Sequence, residues 1–338
     1  MAAVAELGSL GNMTRRMIPQ QIKNWWAAIP LMIAFSVNAQ SDWVDKSPHK
    51  PGFMAVNGVR LHYLDWGGKG DSLLFLHGIG DTPHSYDELA PKFTNQFRVL
   101  GLTRRGHGES EVPDGGYDTA TRVEDIRQFL DALKIRRAIL AGHSAAGGEL
   151  TMFGGVHPDR TIKLVYFDAV FFINRDAQVE MPPEANPTQA DVESLDSIRR
   201  WEKRMNNSWS EAWEATLRVH FSSDGKPLAI PGRSRMFELM AAGEAQTDFK
   251  RIKSPVLAFT VVGPSSNTLN YLKTLPEPRR KAMDDFQTAL SEVKGKEIER
   301  FRKELPDARV VAFTNADHHC FIDREADVLR EMRKFLVK

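Results

Sequence analysis

Apolar and polar positions change their rhythm along the chain. Over residues 53–67, "FMAVNGVRLHYLDWG", they alternate on both sides of Asn57-Gly58. A period of two marks half-buried strands, and Asn-Gly accepts the positive φ angles of a two-residue turn, so an antiparallel hairpin is predicted. Beyond it the alternation gives way to short, nearly continuous apolar runs rich in branched residues: 72–77, 98–102, 137–142, 163–169, 255–263 and 308–313. Segments such as "TRVEDIRQFLDAL" and "EADVLREMRKFL" lie between them, with apolar residues three and four apart. Strands buried on both faces and separated by amphipathic helices predict an α/β fold, a mostly parallel sheet with helices on both sides.

One gap in this alternation is much longer than the others. Some 80 residues separate the strand ending near Asp168 from the one starting near Pro255, and they contain helix-like stretches such as "SLDSIRRWEKRM" and "SEAWEATLRVHF". A structureless loop of that length is rare in a compact domain, so a helical cap insertion is expected. The division that follows is a core over 52–171 and 254–338, interrupted by a cap over 172–253. Trp201, Trp209, Trp213, Phe221, Met236 and Met240 are the apolar side chains available to fasten the cap to the core or to line a pocket beneath it. A second helical stretch, "EPRRKAMDDFQTALSEVKGKEIERFRKEL", follows the run at 255–263, and its charges are expected to form a solvated face.

The first 39 residues belong to none of this. Arg15, Arg16 and Lys23 precede the apolar run 25–37, and Val37-Asn38-Ala39 offers small residues at the spacing of a signal-peptidase site. Residues 1–39 therefore read as an export leader and 40–51 as a polar linker. If the source is bacterial, the mature protein is expected in the periplasm or outside the cell. At 13 residues the apolar run is short for a membrane span, and no stable span is expected once the leader is removed.

Charge and cysteine content narrow the function classes. The chain carries 45 basic and 44 acidic residues. Loss of the leader removes three basic residues and one acidic residue, leaving 42 and 43, so no global field draws the protein to nucleic acid. Cys320 is the single cysteine, which excludes an internal disulfide and a multi-thiolate metal site. Function must be sought in a local constellation of side chains.

Three segments supply one. In "AILAGHSAAGGEL" a buried strand turns through Gly142-His143-Ser144 into a helix, which would expose Ser144 at the carboxyl end of the sheet. A nucleophile elbow needs small flanking residues because its serine occupies a strained backbone conformation. Gly142 meets that need; the second glycine stands one place late, at Gly147, with Ala146 in its usual position. The strand-end turn His77-Gly78-Ile79-Gly80 can direct backbone amides at a developing oxyanion, with the Ala145 amide as second donor and the Gly78-Ile79 turn as first. Near the C-terminus, His318 and His319 follow the last predicted strand.

Together these residues resemble the α/β-hydrolase superfamily over residues 53–338, in its serine-nucleophile branch. The His77-Gly78 turn matches the family's oxyanion turn, Arg105-Gly106-His107-Gly108-Glu109-Ser110 its R-G-x-G-x-S segment, Ser144 its nucleophile and His318 its general base. Thr103 replaces the aspartate that often precedes that segment. His319 is the rival base, set aside because the resembling segment places its histidine three residues before an apolar residue, here Phe321. The acid departs from the common pattern: the loop after 255–263 reads Pro264-Ser265-Ser266-Asn267 and holds no carboxylate. A superfamily variant carries the acid one strand earlier, where Asp168 stands. A turn cap is the competing role for Asp168, and in that case Asn267 would orient the histidine.

What the resemblance implies is an exported hydrolase that cleaves a carboxylic ester or related acyl compound through Ser144, Asp168 and His318, with an apolar small-molecule substrate. Neither a cofactor nor a metal is expected; His77, His84 and His107 lack metal-ligand spacing, and His143 reads as a packed polar residue. An acyltransferase, a carbon–carbon bond hydrolase or a cofactor-free haloperoxidase would use the same side chains, and a binding protein that has lost turnover would keep the fold.

Overall fold

A computed structural model describes residues 43–170, 188–206 and 209–337. The proposed leader therefore lies outside the described residues. Strands β1 (Lys50–Val56) and β2 (Val59–Gly67) form the expected hairpin, closed by Asn57 and Gly58 at φ +47° and +75°. β1 starts at Lys50, inside the stretch read as linker, because Lys50 and Pro51 still pair with Asp65 and Leu64. The remaining strands are β3 (Ser72–Leu76), β4 (Arg98–Leu102), β5 (Ala138–His143), β6 (Thr161–Phe167), β7 (Val256–Val262) and β8 (Arg309–Thr314). They build one sheet in the order β1-β2-β4-β3-β5-β6-β7-β8, parallel from β4 through β8 and antiparallel at the hairpin edge.

Successive side chains of a strand point to opposite faces, and both faces here are covered. Leu74, Leu76, Leu140, Leu164 and Tyr166 pack on one side with Phe129, Leu150 and Phe301. Leu73, Phe75, Ile139, Val165 and Phe167 pack on the other with Tyr86, Phe321 and Met332. The helices are α1 (Thr119–Ala132), α2 (Ala146–Val156), α3 (Gln189–Val192), α4 (Leu195–Met205), α5 (Glu211–Arg218), α6 (Arg233–Gly243), α7 (Ser266–Lys273), α8 (Glu277–Glu304), α9 (Cys320–Asp323) and α10 (Glu325–Leu336), and of these α1, α2, α8, α9 and α10 carry partners named above. This is the α/β-hydrolase fold, an eight-stranded, mostly parallel sheet flanked by helices.

Helices α3 to α6 stand between β6 and β7, where the long gap interrupts the alternation. Their apolar residues turn toward the core: Met236, Phe237 and Met240 bury against Tyr117, with Ile79 packed alongside. Trp213 lies edge-on to the His319 ring at 4.4 Å. The charges of helix α8 lie mainly on an exposed face, as expected, with Lys294 as the exception. Its 28 residues bury Met283, Phe286, Ile298 and Phe301, and Lys294 turns inward with only 13% of its side chain exposed.

Candidate active site

β5 is buried along its whole length and delivers Ser144 at the sheet's carboxyl edge. There the chain reverses with φ +52° at Ser144, a left-handed conformation that costs a non-glycine residue roughly 1–2 kcal/mol. The turn is held by Ser144 N–H donating to Phe167 O at 3.2 Å and Gly147 N–H donating to Ser144 O at 2.9 Å. A β-carbon at Gly147 would lie 1.9 Å from the Ala169 carbonyl oxygen, so helix α2 needs its bare residue there, where it crosses the exit of β6. Ala146 is tolerated because Gly142 is bare: a β-carbon on Gly142 would sit 2.8 Å from that of Ala146. The late glycine thus follows from where the close backbone approach falls.

The strand-end turn packs directly on this elbow. A β-carbon at Gly78 would stand 2.7 Å from His143 Nδ1 and 3.4 Å from Ser144 Cβ. His77 fixes the turn as a neutral ring, with Nδ1–H donating to Gly78 O at 2.8 Å and Nε2 accepting from Arg104 N–H at 3.1 Å. Burial and then the Arg104 charge hold its pKa well below the ordinary histidine value. Neither the Ile79 nor the Ala145 amide donates in the turn and loop hydrogen bonds of the described residues. From the cap, the His220 ring reaches Gly80 O at 3.0 Å.

Beneath the elbow lies a chain of buried ions. Glu149 on α2 takes Arg104 at 3.0 Å and Arg122 at 3.0 Å, and Arg122 also pairs with Glu244 at the end of the cap. Charges this deep are tolerable only when each has partners, and these tie α1, α2, the loop after β4 and the cap exit together.

Asp168 follows β6 at φ +43°, and its backbone N–H donates to Phe259 O at 2.8 Å. Its side chain reaches across the sheet: Oδ1 accepts from Val261 N–H at 2.9 Å, while Oδ2 accepts from His318 Nδ1 at 2.6 Å and Lys294 Nζ at 2.8 Å. These partners are a strand amide, a histidine and a lysine. Burial would raise the Asp168 pKa; the Lys294 charge and the His318 hydrogen bond overcome it and hold the carboxyl ionised, well below the usual carboxylate range. For His318, desolvation lowers the pKa, the bond and charge of Asp168 oppose the fall, and His319 and Lys294 add to it, so the net direction is downward. The His318 side chain is 44% exposed.

His318 and His319 diverge. The first turns to Asp168, and the second places Nε2 3.2 Å from Asp81 Oδ2. Between them stands His143, whose ring centroid is 4.4 Å from that of His318 and 4.3 Å from that of His319. Its Nε2–H donates to His318 O at 3.1 Å, so the residue read as mere packing braces the loop that carries both histidines. Asn267 is placed elsewhere: its amide donates to Asn206 O at 2.6 Å.

The structure adds residues that the sequence did not single out. Lys294 is one charge among many on a long helix. Asp81 follows the glycine turn by a single residue, and Glu202 is an ordinary helix carboxylate until α4, which carries it, closes toward Asp81 and His319. Burial pushes the Glu202 carboxyl up to about 7, helped by the acids Asp81 and Asp317 and opposed by His319 and the hydrogen bond from Asn206.

Comparison with known proteins agrees with this architecture. Over 146 residues the chain is 32% identical to a non-heme chloroperoxidase of Streptomyces lividans, a match covering 42% of this chain and 51% of that protein. The chain spans about half or less of the length of the first curated relatives it matches. Over 252 residues it is 23% identical to 2-(acetamidomethylene)succinate hydrolase of Mesorhizobium japonicum, covering 75% of this chain and 83% of that protein. The crystal structure of E-2-(acetamidomethylene)succinate hydrolase superposes with a TM-score of 0.67 at 20% identity, covering 86% of this chain and 100% of that one, which is a likeness of fold. A family model described as alpha/beta hydrolase family matches residues 73–331, and the chain belongs to that family.

Proposed function

We propose that the protein is a serine hydrolase that cleaves a carboxylic ester or a related acyl compound through Ser144, His318 and Asp168. The observation that carries the reading is the 2.6 Å hydrogen bond between His318 Nδ1 and Asp168 Oδ2, beside an elbow that holds Ser144 in a left-handed conformation. With Nδ1–H committed to the carboxylate, Nε2 keeps the lone pair that a general base needs. Ser144 Oγ attacks the acyl carbon as its proton passes to His318 Nε2, and the Ile79 and Ala145 amides take the developing oxyanion. Collapse returns the proton to the leaving alcohol and leaves an acyl-serine. Water, deprotonated by the same nitrogen, hydrolyses that ester and restores Ser144.

Trp213 and the Met236 and Met240 side chains give the cap an apolar underside, which suits an apolar acyl or alcohol group. Hydrolysis of a chain-length series of p-nitrophenyl esters tests the reading. Turnover by the unmodified protein should fall about 10³-fold or more in Ser144→Ala and in His318→Ala. An unmodified protein inert on every ester, or one whose turnover survives Ser144→Ala, removes it.

The Streptomyces lividans relative, a chloroperoxidase by name, favours a second reading on the same side chains. Hydrogen peroxide would then take the place of water in attacking the acyl-serine and release a peroxy acid. Peroxide-dependent product at the expense of free acid would distinguish it. In the same proposal residues 1–39 are an export leader; a mature N-terminus at Gln40 would support this, and one at Met1 would remove it.

A further inference from the structure

Away from the elbow, residues 43–49 run along the core without regular secondary structure before entering β1. This arm carries Asp45 and His49 to the turn 83–87, where they meet His84 and Asp87. One donor atom from each of the four residues lies within 4.8 Å of all the others. His49 Nε2 is 2.9 Å from Asp45 Oδ2 and 3.5 Å from Asp87 Oδ1, while His84 Nδ1 is 3.3 Å from Asp45 Oδ2 and 2.8 Å from Asp87 Oδ2. We propose that these four side chains form a tetrahedral site for a divalent zinc ion, which staples the N-terminal arm to the hydrolase core.

Ligand bonds of 2.0–2.2 Å around a tetrahedral ion put neighbouring donors about 3.3–3.6 Å apart; the pairs here lie at 2.8–3.5 Å, the two shortest being the hydrogen bonds that an ion would replace. Two imidazoles and two carboxylates suit zinc, and two Asp charges balance its own. Calcium, which takes six to eight oxygens, is a poor match for this set.

Contacts outside the cluster hold the donors in place. Trp66 Nε1–H donates to Asp87 Oδ1 at 3.2 Å and to Ser47 Oγ at 3.1 Å. Ser47 N–H donates to Asp45 Oδ1 at 2.9 Å and leaves Oδ2 turned to the histidines. The His49 side chain is only 9% exposed and stands edge-on to Trp66, its ring centroid 5.9 Å away. Such outer partners orient metal ligands in built sites. The grouping is not visible in the sequence, because Asp45-His49 and His84-Asp87 are short pairs far apart in the chain and only the fold joins them.

The test uses the full chain, stripped with a chelator and titrated calorimetrically with zinc chloride. One equivalent should bind, and Asp45→Asn and His84→Ala should each weaken it by more than about a hundredfold, beyond what an outer partner is worth. Because Asp81, His143 and His319 also converge at the candidate active site, His319→Ala is the control and should leave the affinity unchanged. Zinc should also slow tryptic cleavage after Lys46 in the unmodified protein and not in Asp45→Asn, which alters an arm residue rather than the core. Absence of zinc binding, binding equal in Asp45→Asn and His84→Ala, or binding lost only in His319→Ala would each overturn the proposal.

Discussion

Lys294 Nζ and His318 Nδ1 share one acceptor, Asp168 Oδ2, at 2.8 and 2.6 Å. The ammonium keeps the carboxylate ionised and opposes a positive charge on His318. His318 is therefore expected to be neutral at lower pH than an ordinary histidine, and the acid limb of the kcat/KM profile should fall below 6.5. Lys294→Met removes a charge that lowers the His318 pKa, so the limb should move to higher pH while activity persists on the alkaline side. A profile that stays in place would show that Lys294 has no electrostatic hold on the histidine.

Asp168 itself occupies φ +43°, where asparagine is tolerated far better than alanine. Asp168→Asn should therefore keep the fold and lose the charge that steadies the imidazolium, with kcat reduced about 10³–10⁴-fold. Asn267 cannot compensate from its present position, since its amide is engaged with Asn206. Steady-state rates of Asp168→Asn beside Asp168→Asn/Asn267→Ala check both statements: equal rates are expected, and a further drop in the double variant would give Asn267 a role.

The displaced glycine gives a packing prediction. Gly147→Ala would drive a methyl into the Ala169 carbonyl and should destabilise the protein by about 3 kcal/mol or more, at or above the upper end for overpacking. Gly142→Ala meets the Ala146 methyl first and Leu150 next. Adding Ala146→Gly should recover part of that loss, whereas it should recover nothing when added to Gly147→Ala. Denaturant melts of these four variants and of Ala146→Gly alone decide; additive effects at positions 142 and 146 would contradict the contact.

Glu202 predicts how stability depends on pH. Its folded-state pKa is raised to about 7 from 4.5, so the folded protein holds this proton more tightly than the unfolded chain does. The stabilisation is fully present below 4.5 and is lost as pH rises through about 7. Relative to Glu202→Gln, the unmodified protein should lose melting temperature across that interval. Parallel curves for the two proteins would show that the carboxyl is not held protonated by the cap.

The sheet was legible because its central strands are buried on both faces, so runs such as Ser72–Leu76 and Val256–Val262 stand out as continuous apolar segments. Ser144 and the glycine turn were legible because strain demands small neighbours at fixed spacing. Asp168 was reached through the resemblance to a superfamily variant that carries its acid one strand earlier, once the later loop was seen to lack a carboxylate. Lys294, Asp81 and Glu202 were not legible, since each looks like a solvated charge until tertiary structure closes over it. The arm cluster was hidden for a related reason: Asp45 and His84 are joined only by the path of the folded chain.

Covalent capture would show whether Ser144 is the nucleophile activated by His318. The full chain would be treated with diethyl p-nitrophenyl phosphate and the modified peptide identified by mass spectrometry. A single diethylphosphoryl adduct on Ser144 is predicted, absent from Ser144→Ala and formed far more slowly in His318→Ala. An unmodified protein, or an adduct on any other residue, would contradict the account.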